Sequence, residues 1–204
     1  MQERVQPGWR SVDERCAISW GLGQMGCKNS RAVENVYTIT RARLRDLSRL
    51  PAIELAAAKL LAGYAPDSVL TETTSLEELL DAYHRGNLWV ALAEDIPIGF
   101  AQVEALEPRV AHLKEIDVDP AHGRRGVGTR LVITVCNWAA STGHAFVTLT
   151  TFRDVPWNMP FYAGLGFAEI GSENLSSALR SVVEAETRRG LDPARRVTMR
   201  RPCA

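Results

Sequence analysis

A strand that leads through a loop of glycine and arginine into a helix is the feature of this sequence that most restricts its fold. The predicted strand is Val110 to Val118, and the loop is Asp119 to Gly128. The helix is marked by apolar residues at helical spacing, namely Leu131, Val135, Trp138 and Ala139. The first N–H groups of a helix have no acceptor inside it and carry the positive end of its dipole. This arrangement predicts an anion site, and the expected ligand is a phosphate or pyrophosphate.

The composition of the loop agrees with an anion-binding site but does not by itself establish one. Gly126 and Gly128 let an anion approach the backbone without a Cβ atom in the way, and Arg124 and Arg125 add positive charge. A Walker loop requires a lysine that is absent here, and a dinucleotide loop requires G-x-G-x-x-G rather than the observed G-x-x-G-x-G from Gly123. On the loop alone, a phosphate site and an ordinary tight turn remain equally open.

Hydrophobic periodicity divides most of the chain into a mixture of strands and helices. Ser75 followed by Glu78 predicts a helix start with a capping box, and Asn158 predicts the cap of a later, short helix. Further strands are predicted at 36–39, 88–93, 98–106, 146–151, 167–170 and 197–201, the last at a sheet edge. The order predicts an α/β (α+β) fold with one sheet covered by helices.

Residues 1–35 show no sustained hydrophobic period, which predicts an irregular or disordered N-terminal extension. The pattern over residues 36–204 predicts a single domain. The 24 basic and 24 acidic side chains balance, which argues against nucleic acid or membrane partners. No apolar run reaches the roughly 18 residues of a membrane helix. The four cysteines form neither a C-x-x-C pair nor a zinc cluster, so reduced thiols, no metal and a cytoplasmic location are expected.

Two segments resemble signature motifs of the GNAT superfamily of N-acetyltransferases, and they occur in the same order as in that family. Ile116-x-Val118-x-Pro120, followed by Gly126-x-Gly128-x-x-Leu131, is similar to its coenzyme A-binding motif. The run from Tyr162 to Phe167, Y-A-G-L-G-F, resembles its second signature, Y-x-x-L-G-F. The resemblance covers about residues 37–204 and implies a mixed, mostly antiparallel central sheet flanked by helices. One departure is Gly123, which stands where the family usually has Arg or Gln.

The resemblance implies an enzyme that moves an acetyl group from the cosubstrate acetyl-coenzyme A to a primary amine of a small molecule or a protein. The alternative is a non-catalytic acyl-coenzyme A-binding or sensor module of the same fold. No metal is implied, and the acceptor's identity and the formation of a homodimer stay open. The residues implied to bind the cosubstrate are Ile116, Asp117, Val118, Gly123, Arg124, Arg125, Gly126, Val127, Gly128 and Thr129.

The resemblance also implies catalytic residues. Tyr162 matches the family's general acid, which protonates the departing thiolate. Glu115, on the central strand, is a candidate general base, and its alternative is a buried or substrate-ordering carboxylate. His112 is a second candidate base because of its intrinsic pKa, although a lone strand histidine is more often structural. Asp117 alternates onto the face of Glu115 and is expected to hold the substrate ammonium.

Overall fold

The computed structural model describes residues 37–203, in which seven strands form one sheet in the order β1-β2-β3-β4-β5-β7-β6. All neighbouring strands are antiparallel except β4 and β5, which are parallel. The strands are β1 Thr38–Arg41, β2 Leu88–Ala93, β3 Ile96–Glu107, β4 Val110–Val118, β5 Phe146–Phe152, β6 Ala168–Ile170 and β7 Arg196–Pro202. The predicted mixed, mostly antiparallel fold is confirmed, and the predicted extension over 1–35 lies outside the described residues.

Six α-helices accompany the sheet in the described part of the chain. They are α1 Leu50–Ala58, α2 Asp67–Thr71, α3 Leu76–His84, α4 Val127–Ser141, α5 Asn158–Gly164 and α6 Ser177–Arg188. Short 3-10 turns occupy Leu44–Arg49, Lys59–Leu61, Pro120–His122, Ser172–Asn174 and Pro193–Arg195. Between residues 37 and 203, no helix combines the length and apolar character needed to cross a membrane.

The sheet is covered on both faces. Helices α4 and α5 lie on one face, where Leu131 and Val135 pack against Leu113. Helices α1 and α3 lie on the other face, where Ile53 and Leu79 belong to a second core. Full burial of such a side chain contributes about 1.5–3 kcal/mol. The two layers therefore hold β3 and β4 between them and fix the position of the site that β4 carries.

The ends of several elements differ from the prediction. The turn between β2 and β3 is only Glu94-Asp95, with φ of +49° and +70°, because a two-residue turn of this hand matches the twist of the strands. The strand expected at 197–201 as an edge, β7, is instead an interior strand between β5 and β6. The capping box of α3 is confirmed, since the Glu78 N–H donates to Ser75 Oγ at 3.2 Å.

Candidate active site

The parallel strands β4 and β5 separate partway along their length. They pair at Val110–Phe146, Ala111–Val147 and His112–Thr148, and β4 then continues to Val118 without β5 beside it. On its other side β4 stays bonded to β3, where the Asp119 N–H donates to the Ile98 carbonyl at 2.8 Å. Ladder bonds alternate along a strand, so the N–H groups of Ile116 and Val118 face the opening. The opening is a slot that these two N–H groups face without a strand bonded to them.

An extra residue in β4 decides which side chains flank this slot. Glu115 is opposite Gln102 in the ladder, but Leu113 is opposite Val103, so Lys114 is a bulge with no partner of its own. A bulge shifts the alternation of side chains by one position. Leu113 points into the core beneath α4, whereas Glu115 and Asp117 lie on the opposite face with His112. Without the bulge, Glu115 would fall on the apolar face.

The predicted phosphate loop ends in a helix start with free donors. Gly126 caps α4 with φ +79°, and the first helical bond runs from the Arg130 N–H to the Gly126 carbonyl at 3.0 Å. The N–H groups of Val127, Gly128 and Thr129 precede that bond and have no acceptor inside the helix. A Cβ atom at Gly126 would meet nothing within 4 Å, so the approach to these donors is open. The loop fits an anion.

The two arginines of the loop are exposed, and each has a distinct role in its geometry. Arg124 takes φ +58°, a left-handed conformation that is uncommon outside glycine and lets the loop turn into α4. Arg125 Nη1 donates to the Tyr37 hydroxyl at 3.2 Å, which ties the loop to the residue before β1. Both guanidinium groups add positive charge beside the helix start, as expected.

Two residues expected to contact the cosubstrate are placed otherwise. The Gly123 N–H donates to the Pro120 carbonyl at 3.1 Å, so it closes the 3-10 turn and is not a free donor. Asp117 pairs with Phe100 of β3, so its backbone faces away from the slot, and its carboxyl lies on the other face of the sheet. Asp117 was expected to bind the cosubstrate together with Ile116 and Val118, but neighbouring residues on a strand point to opposite sides.

Three carboxyl groups converge on the face opposite α4. Glu115 and Asp117 come from β4 and Glu54 from α1, and one oxygen of each lies within 4.8 Å of the others. Glu54 is held by the loop before α3, because the Thr74 N–H donates to both of its oxygens, at 3.0 and 2.9 Å. We call Glu54, Glu115 and Asp117 the carboxylate cluster.

Crowding and burial change the proton affinity of the carboxylate cluster. Burial, and then the charge of Glu54, raise the pKa of Glu115 to about 7. Burial and the charges of Glu115 and Glu54 raise the pKa of Asp117 well above its usual range. The pKa of Glu54 is also raised, by burial. A carboxyl group with a pKa near neutrality accepts a proton in the range where a general base works best.

Tyr162 lies on α5, on the α4 side of the sheet. Its ring packs edge-on against Phe161 and Phe167, and 9% of the residue is exposed. Burial raises the pKa of the phenol, and the charges of Glu115 and Asp117 raise it further, so the hydroxyl keeps its proton. Helix α5 is fixed against α4 at Gly128, where an added Cβ atom would lie 3.5 Å from Phe161 Cζ.

Asn158 is not the cap that the sequence predicted. Trp157 occupies the cap position of α5, and Asn158 is the first helical residue. The Asn158 side-chain amide donates to Thr151 Oγ1 at 2.9 Å, which fastens the start of α5 to β5. This bond positions the helix that carries Tyr162.

His112 is placed as a structural residue. It is 3% exposed, and its Nδ1 lies 3.1 Å from Thr148 Oγ1 at the last pairing position of β4 and β5. Burial lowers the pKa of His112 to about 4, so the ring is neutral at pH 7 and a weak base. The geometry favours Glu115 over His112 as the general base.

Polar residues near the site also come from elements that the motifs do not include. Arg196 of β7 donates to Glu186 of α6 at 2.7 Å and to Thr150 of β5 at 2.9 Å. Neither this network nor Glu54 was predicted from the sequence. Glu54 was detectable, because it is the only charged residue in the apolar helix L-P-A-I-E-L-A-A-A. Arg196 and Glu186 carry no local signal, since their pairing depends on the tertiary fold.

The chain belongs to the acetyltransferase (GNAT) family, whose model matches residues 56–167, more than half of the sequence. The family is one of acyltransferases, and the match includes β4, the loop and α5. The resemblance inferred from the two motifs is therefore confirmed.

Solved structures share the fold at low sequence identity. PaiA N-acetyltransferase from Thermoplasma acidophilum, in complex with coenzyme A, superposes with a TM-score of 0.65 at 17% identity, over 82% of this chain and 99% of that one. The ribosomal-protein-S18-alanine N-acetyltransferase from Escherichia coli gives 0.57 at 17% identity, over 83% and 95%. Ard1 from Thermoplasma volcanium gives 0.60 at 20% identity, over 81% and 97%.

Proposed function

We propose that this protein transfers an acetyl group from acetyl-coenzyme A to a primary amine by direct attack. The observation that carries the proposal is the bulge at Lys114, which puts Glu115 beside a slot faced by backbone N–H groups that have no ladder partner in β5. A base and fixed donors on one strand are what acyl transfer to an amine requires. A protein that only sensed acyl-coenzyme A would need the slot but not the carboxylate cluster.

The cosubstrate is proposed to bind along the slot and at the start of α4. The N–H groups of Val127, Gly128 and Thr129 receive the pyrophosphate, with Arg124 and Arg125 nearby. The N–H groups of Ile116 and Val118 bond the pantetheine arm and the thioester oxygen, in the way that a neighbouring strand would. Fixed donors of this kind stabilise the charge that develops on the carbonyl oxygen.

Glu115 is proposed to take a proton from the substrate ammonium. An alkylammonium has a pKa near 10.4 and must lose a proton before its nitrogen can attack. The nitrogen then forms a bond to the carbonyl carbon, and the bond from that carbon to sulfur breaks. The thiolate receives its proton from Tyr162. The second proton that the nitrogen releases restores the Tyr162 phenol, so the products are the amide, the free thiol and a protonated Glu115. Asp117, beside Glu115, accepts hydrogen bonds from the ammonium and orients it.

Tyr162 is proposed to give the thiolate its proton. Its raised pKa keeps the phenol neutral and able to donate. Free thiols titrate near 8.5, but burial raises the pKa of a thiol just as it raises that of the phenol. The burial that keeps the phenol protonated also raises the proton affinity of the departing thiolate, so the thiolate gains from a proton donor beside it.

The test is release of free thiol from acetyl-coenzyme A across a panel of primary amines, with product masses checked for one added acetyl group. Amine-dependent release by the wild type and its loss in Glu115→Gln support the proposal. Tight binding of acetyl-coenzyme A in calorimetry, with no release for any amine, would instead indicate the sensor function.

A further inference from the structure

We propose that the acceptor is a small amine that carries a second positive charge and no carboxylate, bound by Glu54, Asp117 and Gln102. This inference rests on the proposed function and names the acceptor for the same site. It follows from which hydrogen-bonding groups the site leaves unused and from the balance of charge around it.

The site offers acceptors that have no donor. Asp117 Oδ2 and Gln102 Oε1 are buried and have no hydrogen-bond partner within residues 37–203. Gln102 is only 3% exposed and lies directly across the ladder from Glu115, on the same face of the sheet. A buried acceptor without a donor costs free energy, which a ligand that brings donors recovers. An ammonium group has three donors and no acceptor, so it fits this need.

No salt bridge joins a basic side chain to Glu54, Glu115 or Asp117 within residues 37–203, so the carboxylate cluster has no ion-pair partner there. Basic side chains of the neighbouring elements are instead paired with other acidic groups. The pairs are Lys114 with Glu78 and Glu104 at 3.1 and 2.9 Å, Arg196 with Glu186 at 2.7 Å, Arg85 with Asp81 at 2.9 Å, and Arg189 with Glu72 at 3.7 Å. The charges of Arg196 and Arg189 reach Glu115 and Glu54, but each arginine is shared with its own acidic partner. A cationic acceptor therefore meets no competing ion pair in the cluster.

This balance selects among acceptors of similar size. An ammonium group beside the three carboxyl groups lowers their raised pKa values, so they ionise as the amine binds. A second cation on the same molecule is attracted by the negative charge that this ionisation creates. A carboxylate on the acceptor would meet the same negative field without a free basic group to receive it. A diamine is therefore favoured over a monoamine, and a monoamine over an amino acid.

The experiment compares three acceptors with the same five-carbon chain: cadaverine (pentane diamine), pentylamine and aminovalerate (the terminal amino acid). Thiol release from acetyl-coenzyme A gives kcat/KM for each. We expect kcat/KM to fall at least about tenfold from the diamine to the monoamine, and about tenfold again to the amino acid. Equal values for the three, or a preference for the amino acid, would overturn the inference while leaving the N-acetyltransferase function intact.

Two variants locate the selectivity. Glu54→Gln keeps an oxygen that can accept from Thr74 but removes one charge, so the ratio of diamine to monoamine kcat/KM should fall to within about threefold. A ratio of two substrates does not move when a variant merely lowers the amount of folded enzyme. Glu77→Gln, on the exposed side of α3, removes one charge from the surface and should leave the ratio unchanged. An equal loss in both variants would contradict a local site.

Calorimetry separates failure of the acceptor proposal from failure of the catalytic one. Cadaverine that binds to the wild type and not to Glu54→Gln, without thiol release from any amine, would overturn the proposed function but support the amine site. Binding of Mg²⁺, Ca²⁺ or Mn²⁺ that depends on Glu54, together with no diamine binding, would overturn the amine site and identify the cluster as a metal site.

Discussion

Glu115 and Gln102 are paired across the ladder between β3 and β4, one position beyond the bulged residue Lys114. Because of that bulge, the Glu115 side chain joins that of Gln102 on the face that α1 covers, where Glu54 meets Glu115. The register of the β3–β4 ladder therefore determines which groups surround the proposed base, Glu115. Its raised pKa follows from those surroundings.

The pH dependence of turnover should report on Glu115. A base works only when ionised, and the pKa of Glu115 is raised to about 7, so kcat/KM should fall about tenfold per pH unit below that value. In Glu115→Gln the rate should drop about 10²–10⁴-fold, and the remaining profile should follow only deprotonation of the free amine. Stopped assays of thiol release from about pH 5.5 to 9 would measure this. A wild-type profile that matches the variant's would contradict the assignment.

Tyr162→Phe should slow the chemical step by about 10²–10⁴-fold and leave acetyl-coenzyme A binding almost unchanged. The ring contacts with Phe161 and Phe167 remain, so only the hydroxyl is lost. Single-turnover kinetics with the preferred amine would measure the step. The defect should shrink with an acyl donor whose thiol is more acidic, because that thiolate needs less help to leave. Normal turnover in the variant would show that Tyr162 is not the acid.

Gly126→Asp should abolish acetyl-coenzyme A binding, whereas Gly126→Asn should retain it. Both side chains have nearly the same shape, and both adopt a left-handed conformation such as φ +79° more readily than most residues. Only Asp puts a negative charge beside the proposed pyrophosphate site. Calorimetry should show a loss of at least about a hundredfold in affinity for Asp and less than about tenfold for Asn. Equal losses would show that strain, and not charge, determines the effect.

His112 should affect stability and not turnover chemistry. Its pKa is lowered from 6.5 to about 4 in the folded protein, so the unfolded chain binds more protons between those values. Its contribution to the free energy of unfolding is therefore complete above pH 6.5 and falls by about 3 kcal/mol as the pH drops to about 4. Urea unfolding of the wild type and His112→Asn across this range should show that difference in slope. Parallel curves would contradict a neutral buried ring.

Much of the architecture was predictable, because it depends on local patterns. Val110–Val118 was predicted to the residue, since a turn and a glycine-rich loop bound it, and the Ser75–Glu78 capping box is a local signal. The position of β7 inside the sheet was not predictable, because a short strand does not show which neighbours it will have.

The site was predictable only where its residues share a motif. Gly126, Gly128 and Tyr162 were found from their spacing, and the loop geometry agrees with an anion site. The bulge at Lys114 left no trace in the sequence, because it exists only in the pairing of two strands. Glu54 lies about 60 residues from Glu115, and only the packing of α1 on β4 brings them together.

The opening between β4 and β5 leaves the amides of Ile116 and Val118 without ladder bonds while their neighbours Asp117 and Asp119 stay paired with β3. Hydrogen exchange should therefore be fast at two positions within a slowly exchanging strand. A compound that occupies the slot would slow exchange at those two amides, whatever its chemistry. Deuterium uptake at these two amides therefore reports whether the slot is occupied, and it does so before any acceptor has been identified.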